Sequence, residues 1–214
     1  MFPGQPGQAP FKPSDKVEPT NIYGQTKVDG EVAVLETSKP GQAVVLRVPV
    51  LYGETEPKEN NKESAINVLV DALWNSQKGQ KVNMDDYAIR YPTNTADIAR
   101  VVLDIAKFYT SVAPTTSATQ PSQMKAEDLP KILQFSSEDR MTKYEIVQKF
   151  GEIMDLPTDN VVPDSESGKK PAQDGTLRPY DCHLDTSDLQ KLGIDISTMD
   201  FVAWWRRWVG AYRR

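Results

Sequence analysis

Cysteine and histidine are almost missing from this sequence. Its 214 residues hold one of each, the adjacent Cys182 and His183. A single cysteine excludes an intrachain disulfide, which fits a reducing compartment such as the cytoplasm. One Cys and one His are too few for a structural zinc site, so the pair reads as ordinary packing or surface residues. Basic excess is also lacking. Lys and Arg number 25 against 30 Asp and Glu, a net charge of −5 that argues against a nucleic-acid surface over the whole chain. No apolar run approaches the roughly 20 residues of a membrane-spanning helix, and Met1 to Gln8 lack the basic and apolar stretches of a signal peptide. What remains is 38% hydrophobic and 26% charged, the mix of a globular chain with one sizeable core or two small ones.

Against this background Tyr23 and Lys27 stand out. Four residues apart, they fall on one face of a helix, one turn from each other. A phenol beside an ammonium has its ionised form favoured, which suits proton transfer to or from a substrate oxygen during hydride transfer. That chemistry needs a nicotinamide cofactor, and the cofactor needs a phosphate-binding βα unit. One βαβ unit takes about 30 residues, more than precede Tyr23. Pro3-Gly4 and Pro6-Gly7 are turn chemistry, not a phosphate cradle.

Along the chain, residues 3–19 read as a surface loop rich in Pro, Gly and Lys. Thr20 or Asn21 caps a helix over about 21–37, with Gly41 past its end. Ala43 to Val48 reads as a short strand buried on both faces, as in a parallel sheet, and Pro49 limits its ladder. Leu51 to Gly53 lead into a polar loop, 54–62. Ile66, Leu69, Val70, Leu73 and Trp74 recur at helical spacing, and residues 81–92 hold one or two short strands. Ile98, Val101, Val102, Ile105 and Tyr109 mark another helix, with Asp97 in its first turn. Residues 110–124 read as a disordered insertion, and Lys131 to Phe135 as a strand. Thr142 and Glu145 form a capping box for a helix to about Met154, with Ile146, Val147, Phe150, Ile153 and Met154 inward. A charged, Pro-rich loop runs from there to about Pro179. Asp185 caps a short helix ended by Gly193. Phe201, Trp204, Trp205, Trp208, Val209 and Tyr212 form the stripe of a last helix, with Arg206, Arg207, Arg213 and Arg214 off it. This helix reads as packing on the core, with partner docking and an interfacial membrane role as alternatives. Helices alternating with short apolar strands imply an α/β fold with parallel pairing.

Tyr-x-x-x-Lys alone is a weak motif, but its surroundings add to it. Asn21 to Glu31, Val45 to Gly53, Asn83 to Asp85, Arg90 to Ala99, Met141 to Glu145, and Arg178-Pro179 ahead of Leu184 to Leu189 occur in that order. Together they resemble the extended short-chain dehydrogenase/reductase family. The closer likeness is to the branch shared by dTDP-4-dehydrorhamnose reductase and the regulatory beta subunit of methionine adenosyltransferase, from about Phe2 to near the C-terminus. The resemblance implies a Rossmann-type parallel sheet with flanking helices, here incomplete, plus a small α/β substrate-binding lobe. Residues 1–62 would be the remnant of the NAD(P)-binding domain, and 63–214 mainly the substrate lobe with late Rossmann elements interleaved.

By resemblance, Tyr23 is the proton donor and Lys27 its ribose-binding partner. Arg47, Val48, Pro49 and Val50 lie near the nicotinamide end of NADP(H). Arg90 and Arg178 are substrate-pocket arginines, since a guanidinium fork suits phosphate, with structural ion pairs as the alternative. The family's glycine-rich turn and its catalytic Ser or Thr have no counterpart here. The sequence is thus expected to be the C-terminal portion of a regulatory subunit in S-adenosylmethionine synthesis, docking on the methionine adenosyltransferase catalytic subunit without turnover. The alternatives are an NADPH-dependent dTDP-4-keto-sugar reductase and an inert fragment of a shortened gene model.

Overall fold

A computed structural model of the chain describes residues 1–55, 61–112, 124–171 and 178–211. Helix α1 (Ile22–Thr37) starts after Asn21, which is still extended and whose side chain accepts from Gly24 N at 2.7 Å. It stops at Ser38, and Gly41 then turns the chain at φ 77° with its backbone tight against Ala126. Strand β1 (Val45–Arg47) follows, then β2 (Leu51–Tyr52), α2 (Val68–Ser76), β3 (Val82–Asp85), β4 (Thr93–Asn94) and α3 (Thr95–Val112). Beyond these come β5 (Ile132–Gln134), α4 (Lys143–Met154), β6 (Val161–Asp164), α5 (Ser187–Lys191) and α6 (Phe201–Ala211).

Every strand pair among the described residues is parallel: β1 with β5, β2 with β4, and β3 with β6. Parallel partners require crossovers, and α2, α3 and α4 lie within them. Two cores result. One gathers Leu69 and Leu73 of α2, Ile146, Val147 and Phe150 of α4, and Phe201 and Trp205 of α6 around Tyr52. The other packs Val101, Ile105 and Tyr109 of α3 on Leu133, Phe135 and Leu189. The capping box at Thr142 and Glu145 is formed in both directions.

Several readings of the sequence need correction. Strand β1 is half-buried at Val45 and Leu46, not buried on both faces, because β5 is its one partner among the described residues. The loop 3–19 is largely exposed, as read, but it is anchored at Phe11. Phe2 and Phe11 stack at 4.4 Å between centroids and are buried with Leu184, and Phe11 bridges Leu184 in parallel. Past Pro49 the chain resumes pairing as β2. The stretch read as a loop after Met154 contains β6, and Pro163 is tolerated there because, among the described residues, β6 pairs with β3 alone.

Trp74 and Val102 face solvent, each directly following a buried residue (Leu73 and Val101); a turn of about 100° per residue carries them off the core line. Of the insertion read over 110–124, Thr110 to Val112 end α3, residues 113–123 lie outside the described residues, and Met124 packs on the second core. Thr186, not Asp185, occupies the cap position of α5, although Asp185 Oδ1 accepts from Ser187 N at 2.9 Å. In α6, Phe201 and Trp205 are buried and Trp204 and Trp208 pack against the same core, so the aromatic stripe is a packing face. Tyr212 and the last two arginines lie outside the described residues.

Candidate functional site

The first half of α1 carries Tyr23 and Lys27 on one face, and the Lys27 ammonium lies 5.0 Å from the Tyr23 ring centroid. Gly24 is the one buried residue of the helix, and Tyr23 is 73% exposed. Between α1 and the segment from β1 to β2 runs an open cavity of about 1180 Å³. Tyr23, Lys27, Val48, Pro49, Val50 and Arg90 all line it, so the structure brings most of the site residues read from the sequence around one space. Arg178 stands apart from that lining, exposed beside Pro179.

Arg47 faces the cavity but its guanidinium is engaged. Nε and Nη2 donate to the two carboxylate oxygens of Glu31 at 2.8 and 2.7 Å, and Nη1 donates to Pro13 O at 3.3 Å. The same guanidinium lies 5.3 Å from the Phe2 ring centroid, and both partners of the pair are at most 10% exposed. This pair ties α1 to β1 and to the N-terminal loop. It leaves Val48 to Val50 as the free cavity wall.

Arg90 is placed by backbone. Its N–H donates to Met141 O at 2.7 Å, and its carbonyl accepts from Met141 N at 2.9 Å. Ile89 N donates to Tyr180 O at 2.7 Å, and Tyr180 N and Asp181 N both donate to Gly4 O. A Cβ at Gly4 would come within 2.6 Å of Pro179 Cβ, so only glycine permits this approach. Burial lowers the Arg90 pKa from its ordinary value, Asp85 opposes that, and Arg178 adds to it. Lys143 behaves alike: burial lowers its pKa, with Arg178 and Arg90 contributing and Asp85 opposing. Sequence reading passed over Lys143 and Asp85 as site residues, although both lie inside segments that carried the resemblance. Their spacing in sequence gave no sign that the charge of one acts on the other.

Nearby, burial pushes the Cys182 thiol up to about 11, and its Sγ lies 3.7 Å from Phe2 O. The His183 ring stacks on Tyr91 at 4.1 Å, with Nε2 at 3.1 Å from Glu138 Oε2. No group of three or more His, Cys, Asp or Glu among the described residues could hold a metal ion. Nor is any helix among them long and apolar enough to cross a membrane.

A dinucleotide fits these residues in part. Tyr23, Lys27 and the Val48 to Val50 wall offer a phenol, an ammonium and an apolar surface suited to a ribose and a nicotinamide. The positive-φ glycines do not offer a cradle for the diphosphate: Gly4 is packed on 179–182, Gly41 on Ala126, and Gly7, Gly79 and Gly193 face open space.

Residues 1–204 match the family model described as the RmlD substrate binding domain. Among curated proteins, the methionine adenosyltransferase 2 subunit beta of Mus musculus is 36% identical over 86% of this chain and 48% of its own length. That of Danio rerio is 32% identical over 90% and 52%. The chain spans about half the length of the curated relatives it matches. Among solved structures, a dTDP-4-dehydrorhamnose reductase from Clostridium acetobutylicum superposes with a TM-score of 0.69 at 19% identity, over 100% of this chain and 63% of the other. The enzyme of that name from Bacillus anthracis, in complex with NADP, gives 0.62 at 17%, over 92% and 57%. A dTDP-glucose 4,6-dehydratase from Streptomyces venezuelae with NAD bound gives 0.65 at 17%, over 98% and 56%. These likenesses carry the fold, that of Rossmann-type extended short-chain dehydrogenase/reductases, and the family model with the curated relatives carries the rest: the chain belongs to the RmlD substrate binding domain family.

Proposed function

We propose that this chain is the ligand-binding portion of a regulatory subunit of the methionine adenosyltransferase beta type, acting in S-adenosylmethionine synthesis by docking on the catalytic subunit. The observation that carries this reading is the identity of 32% to 36% with subunits of that name, over 86% to 90% of the chain. Identity to the reductases is about half as high. The exposed Tyr23 agrees with it, because proton transfer to a developing alkoxide gains most from a sheltered, preorganised site.

In this reading Tyr23 and Lys27, with Val48, Pro49 and Val50, form the ribose and nicotinamide side of an NADP(H) site. Arg47 holds α1 in place through Glu31, and Arg90 and Arg178 receive an anionic group. The chain by itself binds NADPH weakly, since its glycines supply no diphosphate cradle. Immobilised chain offered the purified methionine adenosyltransferase catalytic subunit tests the proposal. Saturable capture is expected, and no binding at tens of micromolar refutes it. Calorimetry with NADPH should show no micromolar affinity.

A second reading, an NADPH-dependent reductase of a dTDP-4-keto sugar, is favoured by one observation: Tyr23, Lys27 and Arg90 line the same cavity. Oxidation of NADPH by the chain with that sugar, abolished in Tyr23→Phe, would establish turnover in place of regulation.

A further inference from the structure

Three carboxylates from three segments receive the backbone N–H groups that open α6. Asp97 Oδ2 of α3 accepts from Met199 N at 2.8 Å, and Asp200 Oδ1 accepts from Ala203 N at 2.6 Å. The Asp139 carboxyl, five residues past β5, accepts from Phe201 N. A helix start favours negative charge through its free N–H groups and its dipole, but here Asp139 and Asp200 share a single start. We propose that Asp139 and Asp200 form a proton-operated latch on α6, loosened while both are ionised and closed when one proton enters the pair, and that the latch acts on the cavity wall through Tyr52.

Asp139 is the fixed side of the latch. Ser136 and Ser137 before it are buried, Ser137 N donates to Thr93 Oγ1 of β4 at 2.9 Å, and Ser137 Oγ accepts from Asp139 N at 2.9 Å. Asp200 is exposed and forms the movable side. The surrounding charges do not neutralise the pair. Asp200 acts on Asp139, and among the described residues no cation is found with it. Asp97 has Arg100 at 3.9 Å, but that guanidinium donates to the carbonyls of Asp195 and Ser197. Glu138 and Arg140, beside Asp139 in sequence, act on Tyr91. On the inner side lies Tyr52, whose pKa is raised by burial and then by Asp139, Asp97 and Asp200.

Burial, and after it Asp200, raise the Asp139 pKa from its ordinary value, against the opposing bonds from Phe201 N and Ser137. Ionised Asp139 therefore costs native stability. The cost is present in full above the folded-state pKa, falls as the pH drops toward 3.8, and is gone below it. Tyr52 carries the state of α6 to the cavity. Its ring meets Phe201 at 5.0 Å and Trp204 at 5.1 Å, both edge-on, while Leu51 and Tyr52 of β2 line the cavity. Repulsion between the two carboxylates is relieved by moving Asp200, so the first turn of α6 opens away from Tyr52 more often when both are charged.

Asp139→Asn keeps an acceptor for Phe201 N and removes one charge. At about pH 7 its urea midpoint should lie above that of the wild type, and amide exchange at Tyr52 and at Phe201 to Ala203 should slow about tenfold, the equivalent of one pKa unit. The gap in midpoint should shrink as the pH is lowered to about 4. Asp200→Asn keeps the cap and should act in the same direction, and the double variant should gain less than the sum of the two, because one neutral partner already removes the repulsion. Carbon-13 NMR of the wild-type Asp139 carboxyl should titrate above 3.8, a reading that needs no variant to fold. A carboxyl that titrates at or below that value, or D139N no more stable than wild type at neutral pH, overturns the latch. Slower exchange in α6 with Tyr52 unchanged overturns its action on the cavity wall.

Discussion

Removing either partner of the Glu31–Arg47 pair should be among the most damaging single changes in the chain. Arg47→Met deletes two charge-assisted hydrogen bonds, of 2.8 and 2.7 Å, and strands the Glu31 carboxylate at a site where both partners are at most 10% exposed. Breaking a buried pair from one side costs about 3–5 kcal/mol, mainly because the remaining charge is left unsolvated. Losing the guanidinium over Phe2 adds about 0.5–1 kcal/mol. For a chain of this size about 4 kcal/mol corresponds to a drop in Tm of roughly 8–16 °C. Glu31→Gln keeps the shape and one acceptor, so it should cost less, about 2 kcal/mol.

The double variant Glu31→Leu/Arg47→Met removes both charges, and an apolar replacement of a buried pair is often close to neutral. It should therefore lie within about 1 kcal/mol of wild type, giving a coupling of roughly 3 kcal/mol or more in a double-mutant cycle. Urea unfolding followed by tryptophan fluorescence measures the four corners of the cycle, wild type, Glu31→Leu, Arg47→Met and the double variant, with Glu31→Gln alongside, and 0.5 M salt should change the coupling little because the pair is buried. Single variants within 0.5 kcal/mol of wild type, or a double variant equal to the sum of the singles, would refute the reasoning.

Trp205→Ala should cost about 3–5 kcal/mol, since the indole is buried against Tyr52, Phe150 and Phe201; thermal unfolding by calorimetry reads it. Gly53→Ala should cost about 1–3 kcal/mol by overpacking, because an added Cβ would lie 2.0 Å from Thr95 Oγ1; an unchanged urea midpoint contradicts that geometry. Thr142→Ala should cost about 1 kcal/mol through the lost cap, with early fraying of α4 visible in amide exchange. Burial raises Tyr91 and Tyr109 to about 12 from 10.0, and Cys182 to about 11 from 9.0. The unfolded chain releases these protons first, so the stability they contribute is complete below pH 9. It is lost between about pH 9 and 12, at up to about 1.4 kcal/mol per pH unit for each group. Urea midpoints at pH 8.5 and 11 check this, and Tyr109→Phe should flatten the slope.

The sequence alone determined what depends on nearest neighbours and short periods. A cap at Thr20 or Asn21, which the structure places at Asn21, the Thr142–Glu145 box, the inward line of α4 and the aromatic line of α6 follow from hydrogen-bond reach and the helical repeat, and all are present in the structure. The Tyr23–Lys27 juxtaposition is likewise a one-turn relation within one helix. Strand β6 was hidden because its pairing with β3 lies far away in sequence and its own composition, with Pro163, argues for a loop. Only tertiary structure decided that Glu31 holds Arg47, which takes the guanidinium out of the cavity, and that the backbone of Arg90 pairs with Met141 at the start of α4. Charge partners across separate segments depend on where parallel crossovers bring the backbone, and no local pattern encodes that distance.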